Sequence, residues 1–245
     1  MSERILILGG GGGIGSAVAR LIVSRGGRVY LAGRDTGRLE AIAAELGMPW
    51  GTVEATDPDS IDAVADAAAA ELGGLTGITN CVGSILLKPA HLTTTADWAA
   101  TLATNLNSAF GCVRAAGRLL KADGGSVVLV SSAAARIGLP NHEAIAAAKA
   151  GIIGLVLSAA ATYARQKIRF NAVAPGLTRT PLAAGLVASE LAEKASVAMH
   201  PLGRLGEPED VARGIAWLLD PQQSWVTAQV IGIDGGLADV KGRPG

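Results

Sequence analysis

Five consecutive glycines, Gly9 to Gly13, follow directly on the apolar run Ile5-Leu6-Ile7-Leu8 and lead into Ile14 and Gly15. The chain continues Ser16-Ala17-Val18-Ala19-Arg20-Leu21-Ile22-Val23, apolar at helical spacing. A buried strand, a glycine turn and an amphipathic helix in that order leave few folds open. Glycine lets the backbone turn with positive φ, and without a Cβ it lets a bound group come close. The first N–H groups of the helix are unpaired and sit at the positive end of its dipole, where they attract phosphate. At the first strand–helix junction, this pattern predicts a dinucleotide pyrophosphate site.

The same alternation continues along the chain. Strands are expected at Ile5–Leu8, Val29–Ala32, Trp50–Glu54, Gly77–Asn80, Ser126–Ser131, Ile168–Val173 and Gln229–Ile233. Helices are expected at about Ile14–Ser24, Gly37–Leu46, Ser60–Leu72, Asp97–Lys121, His142–Gln166 and Pro208–Leu219. Such alternation implies an α/β fold, a doubly wound (Rossmann) parallel seven-stranded sheet with helices on both faces. No linker, charge block or composition shift divides residues 1–245, so the chain reads as a single domain. Ligands of such sheets bind at the carboxyl ends of the strands. The helices Asp97–Lys121 and His142–Gln166 are apolar around most of their circumference, which predicts one face on the sheet and the other on a second subunit.

Lys plus Arg and Asp plus Glu both number 21, leaving no net charge to attract nucleic acid or anionic lipid. The polar start Met1-Ser2-Glu3-Arg4 lacks a signal-peptide core, and the run Ala150 to Ala161 is too short to span a bilayer, so a cytoplasmic protein with no membrane contact is expected. Cys81 and Cys112 are far apart, and with His91, His142 and His200 they make no metal-ligand spacing. Two reduced thiols and no metal site follow.

Over nearly its whole length the chain resembles the short-chain dehydrogenase/reductase family. Gly9-x-x-x-Gly13-Ile14-Gly15 is similar to T-G-x-x-x-G-x-G, with Leu8 in the threonine's place. Asn80-Cys81-Val82-Gly83 stands for N-N-A-G, Asn105 for the asparagine of the fourth-helix motif, Ser132 for the active-site serine, and Lys149 for the lysine of Y-x-x-x-K. Pro175-Gly176 with Thr180, and Asp234-Gly235-Gly236, complete the pattern. The resemblance implies hydride transfer between a nicotinamide and a carbonyl or alcohol. Lys149 would hold the nicotinamide ribose, Ser132 would orient the carbonyl and Asn105 would anchor a water relay. It also implies a homotetramer or homodimer, and a lid at about 178–200.

One departure is chemical. Counting from Ser132 and back from Lys149, the family's tyrosine falls on Ile145, which has no proton to give. Losing a positioned acid costs on the order of 10²–10⁴ in rate. Tyr163-Ala164-Arg165-Gln166-Lys167 repeats the motif literally, but lies at the end of its helix, beyond the serine's reach. With Asn141 as N-cap, His142 and Glu143 enter the first helical turn, and His142, Ile145 and Lys149 share a stripe. His142 is therefore the candidate replacement acid, although a helix N-terminus disfavours imidazolium. His91 and His200 border the same region on loops, and Glu143 reads as a dipole partner.

The second strand ends Leu31-Ala32-Gly33-Arg34-Asp35. NAD-selective relatives carry an acid at the place of Gly33; here it is absent and Arg34 follows, suited to a 2′-phosphate, so NADP(H) is preferred over NAD(H). Glu54 fits the family's acidic contact to adenine, and Asp57 reads as a helix start. Leu182, Leu186, Val187, Leu191 and Met199 make the lid aliphatic and suit a modest apolar carbonyl or alcohol. Two other readings stay open: a catalytically silent NADP(H)-binding sensor, and a lyase or isomerase.

Overall fold

The computed structural model describes residues 3–241. Seven parallel strands form one sheet: β1 Arg4–Leu8, β2 Arg28–Gly33, β3 Trp50–Thr52, β4 Gly77–Asn80, β5 Gly125–Val130, β6 Ile168–Pro175 and β7 Val230–Ile233. Their order is β3-β2-β1-β4-β5-β6-β7, so the winding reverses between β1 and β4. A crevice opens at that reversal, outside the carboxyl ends of the strands. All eight residues of β6 are buried, as a strand covered on both faces requires, whereas β7 is a half-buried edge.

The helices are α1 Gly13–Ser24, α2 Thr36–Leu46, α3 Pro58–Leu72, α4 Thr95–Leu102, α5 Ser108–Leu119, α6 Glu143–Tyr163, α7 Glu190–Ala198 and α8 Pro208–Leu219. Ile5 and Ile7 of β1 pack with α1, α2 and α8 on one face of the sheet. Leu6 and Leu8 point the other way, into the layer of α3, α5 and α6 around Phe170. The period-2 alternation along β1 therefore places one strand in two cores. Asp35 caps α2 through the Arg38 N–H (3.1 Å), and Asp57 starts α3 by accepting from the Asp59 N–H (2.9 Å).

Four expectations need correction. The helix expected over Asp97–Lys121 begins at Thr95 behind a Thr94/Asp97 capping box, and a π-helical turn at Ala103–Asn107 divides it. The third strand stops at Thr52, short of Glu54. Asn141 does not cap α6: it is left-handed (φ 64°), and His142 is the capping residue. The stretch Glu143–Gln166 is by length and composition long enough to cross a membrane, because alanines and glycines extend the apolar run in both directions. It packs against β5 and β6 with Ala144, Ile152, Val156 and Ala160 buried, as a core helix does. Besides Asn141, Lys167 (φ 58°) and Ala228 (φ 59°) are the non-glycine residues with left-handed backbone among those described.

Candidate active site

The glycine loop forms one wall of a cleft of about 450 Å³ at the switch point. Gly9 turns the chain with φ 75°, and a Cβ there would lie 2.9 Å from the Cys81 backbone carbon at the end of β4. A Cβ on Gly15 would overlap the Gly9 carbonyl oxygen, so the loop can fold onto the start of α1 only without side chains. Gly12 caps α1 with no side-chain acceptor, and the first turn carries no acid. Its amide hydrogens are left for a ligand anion. Gly9, Gly13, Ile14 and Gly15 face Cys81, Val82 and Gly83 across the crevice, with Thr180, Pro181 and Leu182 at its mouth. A closely approaching pyrophosphate fits this cradle.

The outer half of the cleft is lined by Gly33, Arg34, Asp35 and Arg38. Arg38 was not singled out from sequence. Its signal is a first-turn position after the Asp35 cap, which its guanidinium also pairs (Nε to Oδ2, 3.0 Å). Val53 and Ala55 line the wall while Glu54 between them does not. The Glu54 carboxylate instead accepts from the Thr56 hydroxyl (2.6 Å) and N–H (3.0 Å). Those bonds, with Arg34 nearby, hold it below the usual carboxylate range.

The inner end brings two candidates together, Lys149 and Asn105, at Gly83. Lys149 on α6 is 7% exposed and donates from Nζ to the Val130 carbonyl at the end of β5 (2.8 Å). Burial lowers this ammonium to about 8, with Cys81 pulling the other way. Asn105 lies in the π-turn and is fully buried: Nδ2 donates to Ser84 Oγ and the Thr101 carbonyl (both 2.9 Å), and Oδ1 accepts from the Ser84 N–H (3.2 Å). A Cβ on Gly83 would sit 3.2 Å from Asn105 Oδ1 and 3.5 Å from Lys149 Nζ, so this glycine is where the two side chains converge. Ser132 Oγ accepts from the Ala134 N–H (3.1 Å), which leaves its own hydrogen free to donate. Asn80 holds the end of β4, donating to Ser108 Oγ (2.9 Å) and accepting from the Val82 N–H (3.0 Å).

Ile145, one turn before Lys149, is 5% exposed and presents only hydrocarbon. His142 does not take the expected place in the first turn of α6. As the capping residue it spends Nδ1–H on the Pro140 carbonyl (2.7 Å), and no hydrogen bond joins it to Ser132 or Lys149. Tyr163 packs on Phe170 with ring centroids 5.5 Å apart, and its ring fills the space a Cβ on Gly117 would need. It is a core aromatic.

His91 is exposed in a short turn. His200 is 3% exposed and engaged at both nitrogens: Nδ1–H donates to the Ser196 carbonyl (2.7 Å) and Nε2 accepts from the Leu177 N–H (3.1 Å). It thereby fastens the end of segment 178–200 to the loop after β6, where a Cβ on Gly176 would lie 2.7 Å from Nε2. Pro175 ends β6, and Thr180 Oγ1 accepts from the Ala183 N–H (3.3 Å). Both cysteines are free; burial pushes the Cys81 thiol up to about 12 and raises Cys112 as well. No group of three or more metal-ligating side chains exists among the described residues.

A family model described as Enoyl-(Acyl carrier protein) reductase matches residues 10–238. The chain belongs to the short-chain dehydrogenase/reductase family. Cis-4-hydroxycyclohexanecarboxylate dehydrogenase of Sinomonas cyclohexanicum is 38% identical over 98% of this chain and 98% of its own. A short-chain type dehydrogenase/reductase from Mycobacterium ulcerans superposes with a TM-score of 0.92 at 31% identity, over 99% of this chain and 93% of that one. ElxO with NADP bound gives a TM-score of 0.89 at 27% identity, over 97% of this chain and 99% of that one.

Proposed function

We propose that this short-chain dehydrogenase/reductase is an NADP(H)-dependent oxidoreductase, built as a single domain, that moves hydride between the nicotinamide and a small apolar carbonyl or alcohol. Membership of the family supports the reaction class. The observation that carries the finer reading is the convergence at Gly83 of Lys149 and Asn105, with a free Ser132 hydroxyl two residues past β5 and Ile145 where the family's phenol belongs. A protein that only sensed the dinucleotide would have no use for the free Ser132 hydroxyl. Arg34 and Arg38 beside the side-chain-free Gly33 support NADP(H), as does the likeness to ElxO with NADP bound.

In this reading the α1 amides and Gly9, Gly13, Ile14 and Gly15 receive the pyrophosphate, and Arg34 the 2′-phosphate. Asn80, Gly83, Pro175, Gly176 and Thr180 shape the nicotinamide half, and Glu54 reaches the adenine by turning from Thr56. The bound dinucleotide supplies or accepts the hydride. Lys149 holds the ribose hydroxyls, Ser132 donates a hydrogen bond to the substrate oxygen, and Asn105 fixes Ser84 and the turn after β4. The proton on the substrate oxygen comes from His142 Nε2 or from water held at Ser132, since Ile145 has none. Segment 178–200 closes over the substrate as a lid. The apolar outer faces of α4, α5 and α6, with Trp98, Phe110 and Leu157 exposed, assemble a homodimer or homotetramer in the cytoplasm.

The test is turnover of a carbonyl and alcohol panel with NADPH and NADP⁺, followed by nicotinamide absorbance, for wild type, Lys149→Ala, His142→Ala and Ile145→Tyr. Expected are measurable wild-type turnover, loss in Lys149→Ala, and a gain of about 10²-fold or more in Ile145→Tyr. A wild type inert on the whole panel that Ile145→Tyr awakens would assign the protein to the silent binders. Inertness of both would mean that the pocket is not built for carbonyl chemistry.

A further inference from the structure

A second cavity, of about 660 Å³, lies at the opposite end of the sheet from the glycine loop, where β1, β5 and β6 begin. Its wall carries three cations: Arg4, Lys167 and Arg169. Arg169 donates to the carbonyls of Val226 and Asp220 (3.1 Å each), which orient the guanidinium without neutralising it. The side chains of Arg4 and Lys167 make no hydrogen bond or ion pair with any described residue, and Arg4 Nε is buried without a partner. Nε is closed off from the cavity, whereas the two terminal nitrogens of Arg4, which bond nothing, stay accessible to an incoming acceptor.

Two acids share the wall. Glu3 is already held by Arg25 (2.5 Å), so Asp123 alone opposes the three cations. The rest mixes hydroxyl residues (Thr76, Ser126, Ser224 and Thr227) with an apolar part made by Leu75, Leu219 and Trp225, the last 98% exposed. Lys167 adds an independent sign. It occupies a left-handed position (φ 58°) that glycine fills without strain, so this cation is kept at a backbone cost.

We propose that this cavity binds a small amphiphilic anion, a carboxylate on a hydrocarbon body. Arg4 and Lys167 hold its head, and its body lies between Leu75, Leu219 and the face of Trp225. A carboxylate suits the forked donors of Arg4. The hydrocarbon body suits a wall that exposes an indole with nothing on it.

Calorimetric titration of the full chain with sodium octanoate tests this, with octylammonium and 1-octanol as charge controls. The expected result is saturable one-to-one octanoate binding, weakened at least tenfold by Arg4→Ala and by Lys167→Gly, and several-fold by Trp225→Ala, with no binding of octylammonium. Lys167→Gly suits the left-handed backbone, so its loss of binding should come with an unchanged or raised melting temperature. Three results would overturn the site: no saturable octanoate binding, binding indifferent to these variants, or octanol binding as well as octanoate. Light scattering adds a fourth. If Trp225→Asp splits an oligomer into smaller species, the face is covered by a second copy of the chain.

Discussion

Gly33→Asp should invert the cofactor preference. Gly33 ends β2 on the outer wall of the cleft, beside Arg34. Its backbone is not left-handed, and a Cβ there would meet nothing closer than Leu39 at 3.7 Å, ordinary contact, so aspartate fits without strain. In the wild type, an exposed arginine on a 2′-phosphate is worth about 1.5 kcal/mol, the lower end for a charge-assisted bond, or roughly tenfold in favour of NADPH. The new carboxylate would accept from the ribose hydroxyls of NADH for about the same. Against a phosphate about 4 Å away it would cost up to about 4 kcal/mol at an effective dielectric of 20. Wild type is therefore expected to bind NADPH at least tenfold more tightly than NADH, and Gly33→Asp to bind NADH more tightly by a similar or larger factor. Calorimetric titration of both cofactors against both proteins reads this directly. Equal affinities in the wild type, or a Gly33→Asp variant that still prefers NADPH, would refute the assignment of Arg34.

The low Lys149 value has a stability consequence. The buried ammonium titrates near 8 when folded and near 10.4 when unfolded, so the unfolded chain binds more protons between those values and stability rises with pH across that window. The rise amounts to about 3 kcal/mol. The Cys81 and Cys112 thiols, raised by burial, work in the opposite direction over the same range, so the lysine is read as a difference: from pH 7.5 to 10.5 the denaturant midpoint of wild type should rise relative to that of Lys149→Met by about this amount. Ala228 (φ 59°) should gain about 0.5–1 kcal/mol on replacement by glycine, raising Tm by a few degrees in calorimetry. A lowered Tm would show that the methyl's packing outweighs the strain. His200→Phe leaves the Leu177 N–H unpaired at a cost of about 1–3 kcal/mol, while the Ser196 carbonyl keeps its bond from the Met199 N–H, and should release segment 178–200 to limited proteolysis while leaving NADPH affinity within threefold. Cleavage no faster than wild type would remove the histidine as a fastener.

The strand, glycine turn and helix at residues 5–23 were legible because each carries a strong local signal that the tertiary structure reinforces. Lys149, Asn105 and Ser132 are legible only through the family pattern, since they come from three distant segments, and the fold joins Lys149 and Asn105 at Gly83. The π-turn escaped, because one extra residue inside an alanine-rich helix leaves its apolar periodicity almost unchanged. The α6 cap departs from its sequence pattern for a related reason. Asn141 is a good cap by residue type, but asparagine also tolerates left-handed backbone, and Pro140-Asn141 uses that property, displacing the cap to His142. The third strand ends two residues earlier than its pattern suggests, because Val53 is apolar, buried and still donates its N–H to the Gly33 carbonyl (3.0 Å), although the strand proper stops at Thr52. Arg38 carries no sequence signal beyond its place after a cap, and only its position on the wall of the cleft singles it out.

The π-turn also acts as a ruler. Thr101, just before it, and Asn105 within it are joined by a hydrogen bond, and Ser108, just after it, holds Asn80 at the end of β4. Deleting one residue from 103–107 would let the backbone heal into an uninterrupted α-helix, locally the better-bonded state. It would also turn α4 about 100° relative to α5. Asn105 and Ser108 could then no longer reach Ser84 and Asn80 together. Point substitutions on this helix change one contact at a time, whereas a change in length breaks the geometry of the whole site. The count of residues between Thr101 and Ser108 is therefore under tighter constraint than the identity of most of the residues being counted.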